Sequence, residues 1–87
     1  QTAVLRDALR LLLMLVGAAY REGLVMAVGG DARLRYLTAY DAAVRRLADR
    51  GDEHCENAIR AVAAAEQMLD RNVAPQLAAE RLAIVLG

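Results

Sequence analysis

The sequence predicts an all-α domain, a compact bundle of about four helices, and three observations lead there. Apolar residues make up 57% of the chain but aromatics only 3%; Leu, Val and Ala supply the bulk, and Ala and Leu are among the strongest helix formers. Apolar positions recur at three- and four-residue steps along most of the chain, and strand-like alternation over a useful length is absent. Gly, Asp and Pro interrupt this pattern at points that divide it into four. With 87 residues the chain holds one domain, residues 1–87, which buries only about 60–65% of its unfolded surface and therefore has a thin core.

The first segment runs from about Thr2 to Val28. Val4, Leu5, Ala8, Leu11, Leu12, Leu15, Val16 and Ala19 form a broad apolar face, with Arg6, Asp7 and Arg10 on the other side. From Leu11 to Val16 the segment is apolar all round, which predicts burial on more than one side. A straight helix of this length reaches ~40 Å, long for so small a domain. Gly17 and Gly23 mark a bend or the close approach of another helix. Gly29-Gly30 then breaks the pattern, and Asp31 is placed to cap a second helix carrying Tyr36, Leu37, Tyr40, Val44 and Leu47. Gly51 ends that helix, since glycine supplies the left-handed conformation on which helices often stop. Asp52 caps a third helix, with Glu53 and Glu56 near the positive end of its dipole and Arg71 in its last turn. Its apolar line is Cys55, Ile59, Val62, Leu69 and Val73, backed by Ala58 and Ala65. Pro75 fits the first position of a fourth helix, where its missing N–H is not needed. Leu77, Ala78, Leu82, Val85 and Leu86 are its apolar residues, and successive helices are expected to be antiparallel neighbours.

Composition removes several function classes. Charge is balanced at 11 basic and 11 acidic residues, so no long-range field steers the chain to nucleic acid or an anionic membrane. The strongest apolar run, Leu11 to Ala19, is about half of the ~20 residues a bilayer span needs. The single cysteine, Cys55, makes no internal disulfide, which fits a reducing, cytoplasmic setting. The chain opens on Gln1, in the middle of an apolar pattern, and so reads as a piece of something longer or a processed product.

The residues that carry chemistry are few. Glu53-His54-Cys55-Glu56 is the one metal-like or nucleophile-like cluster, but adjacent side chains on a helix point about 100° apart. No second His or Cys completes a ligand set, and nearby carboxylates raise a thiol's pKa rather than lower it. Cys55 therefore reads as core filler and His54 as a solvated first-turn residue. No phosphate-binding GxxxxGK[ST] follows Gly29-Gly30. Arg45, Arg46 and Arg50, surrounded by Asp41, Asp49 and Asp52, read as an ion-paired face rather than a phosphate-binding one. Tyr36 and Tyr40, without a basic groove, read as packing residues rather than a base-stacking platform. The expectation is a non-enzymatic domain with no metal, cofactor or small-molecule ligand, whose surplus apolar surface binds other protein chains.

From Leu34 onward the chain resembles the C-terminal collar domain of bacterial DNA polymerase III clamp-loader subunits, delta-prime first and gamma/tau second. The resemblance rests on Leu69, Arg71, Asn72, Val73, Pro75, Leu77, Ala78 and Glu80, which match a family pattern of the form LERN-V-NP-xLALE. Ala74 stands where the family often has Asn, and Ile84-Val85-Leu86-Gly87 differs from the usual Leu-Leu-Arg-Leu ending. The resemblance implies a clamp-loader collar-like bundle that packs with the collar domains of gamma/tau and delta subunits during sliding-clamp loading in DNA replication. It implies contact with DNA only indirectly, and ATPase machinery in upstream domains. Leu11, Leu12, Leu15, Val62, Leu69, Val73, Leu77, Leu82, Val85 and Leu86 are the residues expected to form core or subunit interface. A generic self-associating module and a helical nucleic-acid-binding domain are the rival readings.

Overall fold

A computed structural model describes residues 2–87; Gln1 lies outside the described residues. The four expected helices are present as α1 (Thr2–Ala27), α2 (Asp41–Ala48), α3 (Asp52–Asp70) and α4 (Pro75–Leu86). The molecule measures 40 × 22 × 18 Å, and α1, with 26 residues, runs its whole length at 1.5 Å per residue. α3 packs along α1, α2 lies on α1, and α4 lies on α3 while touching α1 only lightly.

The core is built of small side chains. Leu13 of α1 is buried with Val62, Ala65, Leu69, Ala78 and Leu82, flanked by Leu9, Val16 and Met68. A second cluster joins Tyr20, Cys55 and Ala58, and Val16 and Leu86 border both. Gly17 and Gly23 are close-approach positions within an uninterrupted helix. A Cβ on Gly17 would meet Val62 Cγ1 at 3.2 Å, and one on Gly23 would meet Leu47 Cβ at 3.2 Å and Cys55 Sγ at 3.5 Å.

Three expectations about helix boundaries need correction. The helix expected to start at Asp31 starts only at Asp41. Residues 31–40 instead make two single 3-10 turns, Ala32–Leu34 and Thr38–Tyr40. Competing bonds, one set local and one to α1, draw away what a helix would use. Both Asp31 carboxylate oxygens are tied to Arg33, Oδ1 accepting the backbone N–H at 2.9 Å, and the N–H groups of Tyr36 and Leu37 donate to the side chain of Glu22. Tyr36 and Tyr40 consequently do not share a helical face. At α3 the cap is Gly51, with a φ of 99°, and Asp52 is the first helical residue; the Cys55 N–H bonds to the Gly51 carbonyl. Finally, α3 ends at Asp70, leaving Arg71 as the cap and Val73 beyond the helix.

That last ending has a full set of bonds. The Val73 N–H reaches the Met68 carbonyl at 2.9 Å, the Asn72 N–H reaches Leu69 at 3.2 Å, and Asn72 adopts a φ of 61°. This is the Schellman arrangement, with Asn in the place glycine usually takes. The end of α1 repeats it with Gly29, at a φ of 67°: Gly30 N–H to Val25 and Gly29 N–H to Met26.

Candidate subunit interface

The rotation of α1 is the feature that defines its surface. Leu13, Gly17 and Tyr20 are buried, with Leu9 and Val16 beside them half-buried, so this side faces the core. The charged residues Arg6 and Arg10 lie toward it rather than away from it. Arg6 Nη1 donates to Asn72 Oδ1 at 3.1 Å and Nη2 to the Val73 carbonyl at 3.3 Å. Arg10 pairs with Asp70 at 2.6 Å. Two guanidinium groups thus meet the end of α3, where unpaired carbonyls and the helix dipole favour cations.

The opposite side of α1 is apolar and bare. Val4, Leu5, Leu11, Leu12, Met14 and Leu15 are each between 55% and 70% exposed, so the expectation that Leu11–Val16 is buried all round does not hold. Within that run Leu13 alone is buried and Val16 is half-buried. The reason is length: α4 starts beside Leu5, Leu9 and Leu12 with Pro75 and Ala79, while α2 reaches only as far back as Leu15 and Ala19. No element crosses the face between them. The exposed side chains together present on the order of 600 Å2, the upper end of what a monomer usually shows in one patch.

The expected interface-or-core residues therefore separate. Val62, Leu69 and Leu82 are core, and Val73 and Leu86 are half-buried. Leu11, Leu12 and Leu15 lie on the bare face, while Leu77 and Val85 are exposed on α4, at 45% and 39%. Val4 and Met14 belong with the bare face; period alone groups Val4 with Leu11 and Leu15, but the direction of the face is not written in it. Ile84, 81% exposed, is the most exposed apolar residue of α4.

The polar candidates are structural. Cys55 is fully buried, its thiol donating to the Leu47 carbonyl at 3.3 Å; burial, then Asp52, pushes its pKa up. His54 is not the solvated residue expected. Its ring meets Tyr20 edge-on, centroids 5.8 Å apart, because the first turn of α3 lies against α1, and its Nε2 is buried without a partner. Among the described residues no three His, Cys, Asp or Glu side chains are grouped as a metal site. The ion-paired arginine face expected of Arg45, Arg46 and Arg50 does not form: Asp41 pairs instead with Arg35 at 2.7 Å, and Arg50 donates to the carbonyls of Leu86 and Gly87. Arg45 and Arg46 point to solvent. No helix is long and apolar enough to cross a membrane among the described residues.

One group that periodicity did not single out is Glu22, 5% exposed within α1. Its carboxylate accepts the N–H of Tyr36 at 2.8 Å and of Leu37 at 3.0 Å, and the Nε–H of Arg35 at 3.3 Å. Burial pushes its pKa up, but the Leu37 and Tyr36 N–H groups and then Arg35 outweigh this and hold it below the ordinary value of 4.5. A lone charge inside an apolar helix is the available sequence signal for such an anchor.

No family model, curated protein or solved structure matches the chain. The residues and their geometry alone support a functional reading.

Proposed function

We propose that this chain is a non-catalytic oligomerisation domain that docks through the outward face of α1. The observation that carries this reading is the bare apolar surface of Val4, Leu11, Leu12 and Leu15, interrupted only by the exposed Asp7 and at the upper end of what a monomer leaves in water. The setting we propose is the collar of a DNA polymerase III clamp loader, with the chain in the place of a delta-prime subunit and gamma/tau and delta collars as neighbours. Its support is the match from Leu69 to Glu80. In this reading the partner's helices cover the α1 face, the core residues Val62, Leu69 and Leu82 keep the bundle rigid, and catalysis belongs to other domains.

Mixing the chain with a gamma/tau collar domain and measuring mass by light scattering tests the proposal. A hetero-complex is expected, lost in the double variant Leu11→Glu, Leu15→Glu while the helical circular-dichroism signal stays. A homodimer that ignores the collar would replace this setting with self-association. DNA binding that falls steeply with salt would replace the oligomerisation reading itself.

A further inference from the structure

The bare face of α1 does not stop where the exposure stops. Val4, Ala8, Leu11, Leu15, Ala18, Glu22 and Val25 recur at alternating steps of four and three, the spacing that keeps one seam of a helix facing one partner. The first four are exposed; Ala18 and Val25 are half-buried and Glu22 is buried. What covers these three is the chain's own segment 28–40, which returns across the end of α1.

This strap is thinly attached. Among its residues whose side chains are described, only Arg35 and Leu37 are half-buried and the rest are exposed, Tyr36 at 87%. Beside it lies a half-open hollow of about 420 Å3 between Ala18, Arg21, Glu22 and Val25 of α1 and Leu34, Tyr36 and Leu37 of the strap. Three of its bonds to α1 converge on one side chain, the Glu22 carboxylate, which occupies a seam position where an apolar residue would suit a permanent helix partner.

We propose that the strap is a displaceable cover, held shut by Glu22, whose release extends the open seam of α1 from Val4–Leu15 to Val4–Val25 without unfolding the helical body. The cover restricts any partner to the first half of the seam while it is closed. The opening itself is independent of the collar assignment, and its test needs no partner.

Native-state amide hydrogen exchange on the whole chain, in a series of low urea concentrations, reads it. The amides of Tyr36, Leu37 and Tyr40 are expected to share one opening with weak urea dependence, about a hundredfold or more faster than the amides of Val62 and Leu69. In Glu22→Gln the strap amides exchange at least about tenfold faster still, with those of α3 unmoved. An Ala18→Cys thiol gives the matching readout of the seam: a bulky maleimide labels it faster in the Glu22→Gln background, and Cys55, sealed in the core, does not compete. If the strap exchanges only together with α3, or labelling of Ala18→Cys is indifferent to Glu22→Gln, the proposal fails. Should Glu22→Gln not fold, the urea dependence of the unaltered chain decides alone.

Discussion

Along α3, Cys55, Ala58, Val62, Ala65 and Leu69 recur at steps of three and four, and all five are buried. Along α1, Val4, Ala8, Leu11 and Leu15 recur at similar steps, and all four are exposed. The two stripes differ in what lies opposite. α3 sits between α1 and α4, with Gly17 opening space for Val62. The first half of α1 already meets its neighbours through Leu9 and Leu13, and no other element among the described residues covers its other side. Period therefore shows which residues share a face; the number of available neighbours decides whether that face is core or surface.

The largest expected effect follows directly. Leu69→Ala removes a side chain 1% exposed and is expected to cost about 3 kcal/mol, within the 2–5 usual for such truncations. Leu11→Ala, on the bare stripe, is expected to stay within about 0.5 kcal/mol. Urea denaturation of the isolated chain at low concentration measures both. Equal losses would mean that the α1 stripe is packed in the monomer, and the contrast would collapse.

Added volume sharpens the same contrast. Gly23→Val places its new atoms against Leu47 Cβ and the Ala48 backbone nitrogen, 3.2 and 3.5 Å from the Cβ position. A backbone atom cannot retreat as a side-chain tip can, so a loss of about 1–3 kcal/mol is expected. Ala8→Val on the open stripe adds two carbons rather than three, into solvent, and is expected to change little beyond its helix propensity, about 0.5 kcal/mol. Thermal denaturation of the pair separates them.

How much of this the sequence disclosed follows the same division. Helix number, the break at Gly29-Gly30 and Pro75 as the opening of α4 were legible, because they depend on bonds between near neighbours in the chain; Gly51, read as the stop of the second helix, instead caps α3, and α2 ends earlier, at Ala48. The inward turn of Arg6 and Arg10 was not, since their partners Asn72 and Asp70 lie 66 and 60 residues away. The failure of the helix at Asp31 has a similar cause: Glu22, on another element, takes the N–H groups of Tyr36 and Leu37. For the candidate interface, the residue list mixed core members such as Val62 with exposed ones such as Leu11. Val62 and Leu11 look alike in a hydropathy pattern and differ only in what surrounds them.

The covered half of α1 gives a pH-dependent prediction. The carboxyl of Glu22 titrates below its ordinary value of 4.5 in the folded protein, so the unfolded chain binds a proton there first as acid is added. Glu22 thus contributes stability that is complete above that ordinary value and is lost as pH falls through the lower folded value. Glu22→Gln removes the dependence. The difference in unfolding free energy between the two proteins is expected to be largest near neutral pH and to shrink on acidification below pH 4.5. A gap that widens on acidification would contradict the direction assigned to Glu22.

The smallest effect concerns the two Schellman ends, one closed by Gly29 and one by Asn72. Asn in a left-handed conformation is less comfortable than glycine, so Asn72→Gly gains a few tenths of a kcal/mol from the backbone. It also loses the exposed bond from Arg6, worth about 0.5 kcal/mol. The expected net change is within about 0.5 kcal/mol, and Asn72→Ala, which loses both advantages, costs about 1 kcal/mol. A double-mutant cycle with Arg6→Ala isolates the bond, and its coupling is expected to be about 0.5 kcal/mol or less. A coupling well above that would make the Arg6 contact an anchor between α1 and the α3–α4 turn, and Asn72 more than a helix stop. With weak coupling, Asn72 and Pro75 are accounted for by turn chemistry alone. The partner must then be established through the α1 face.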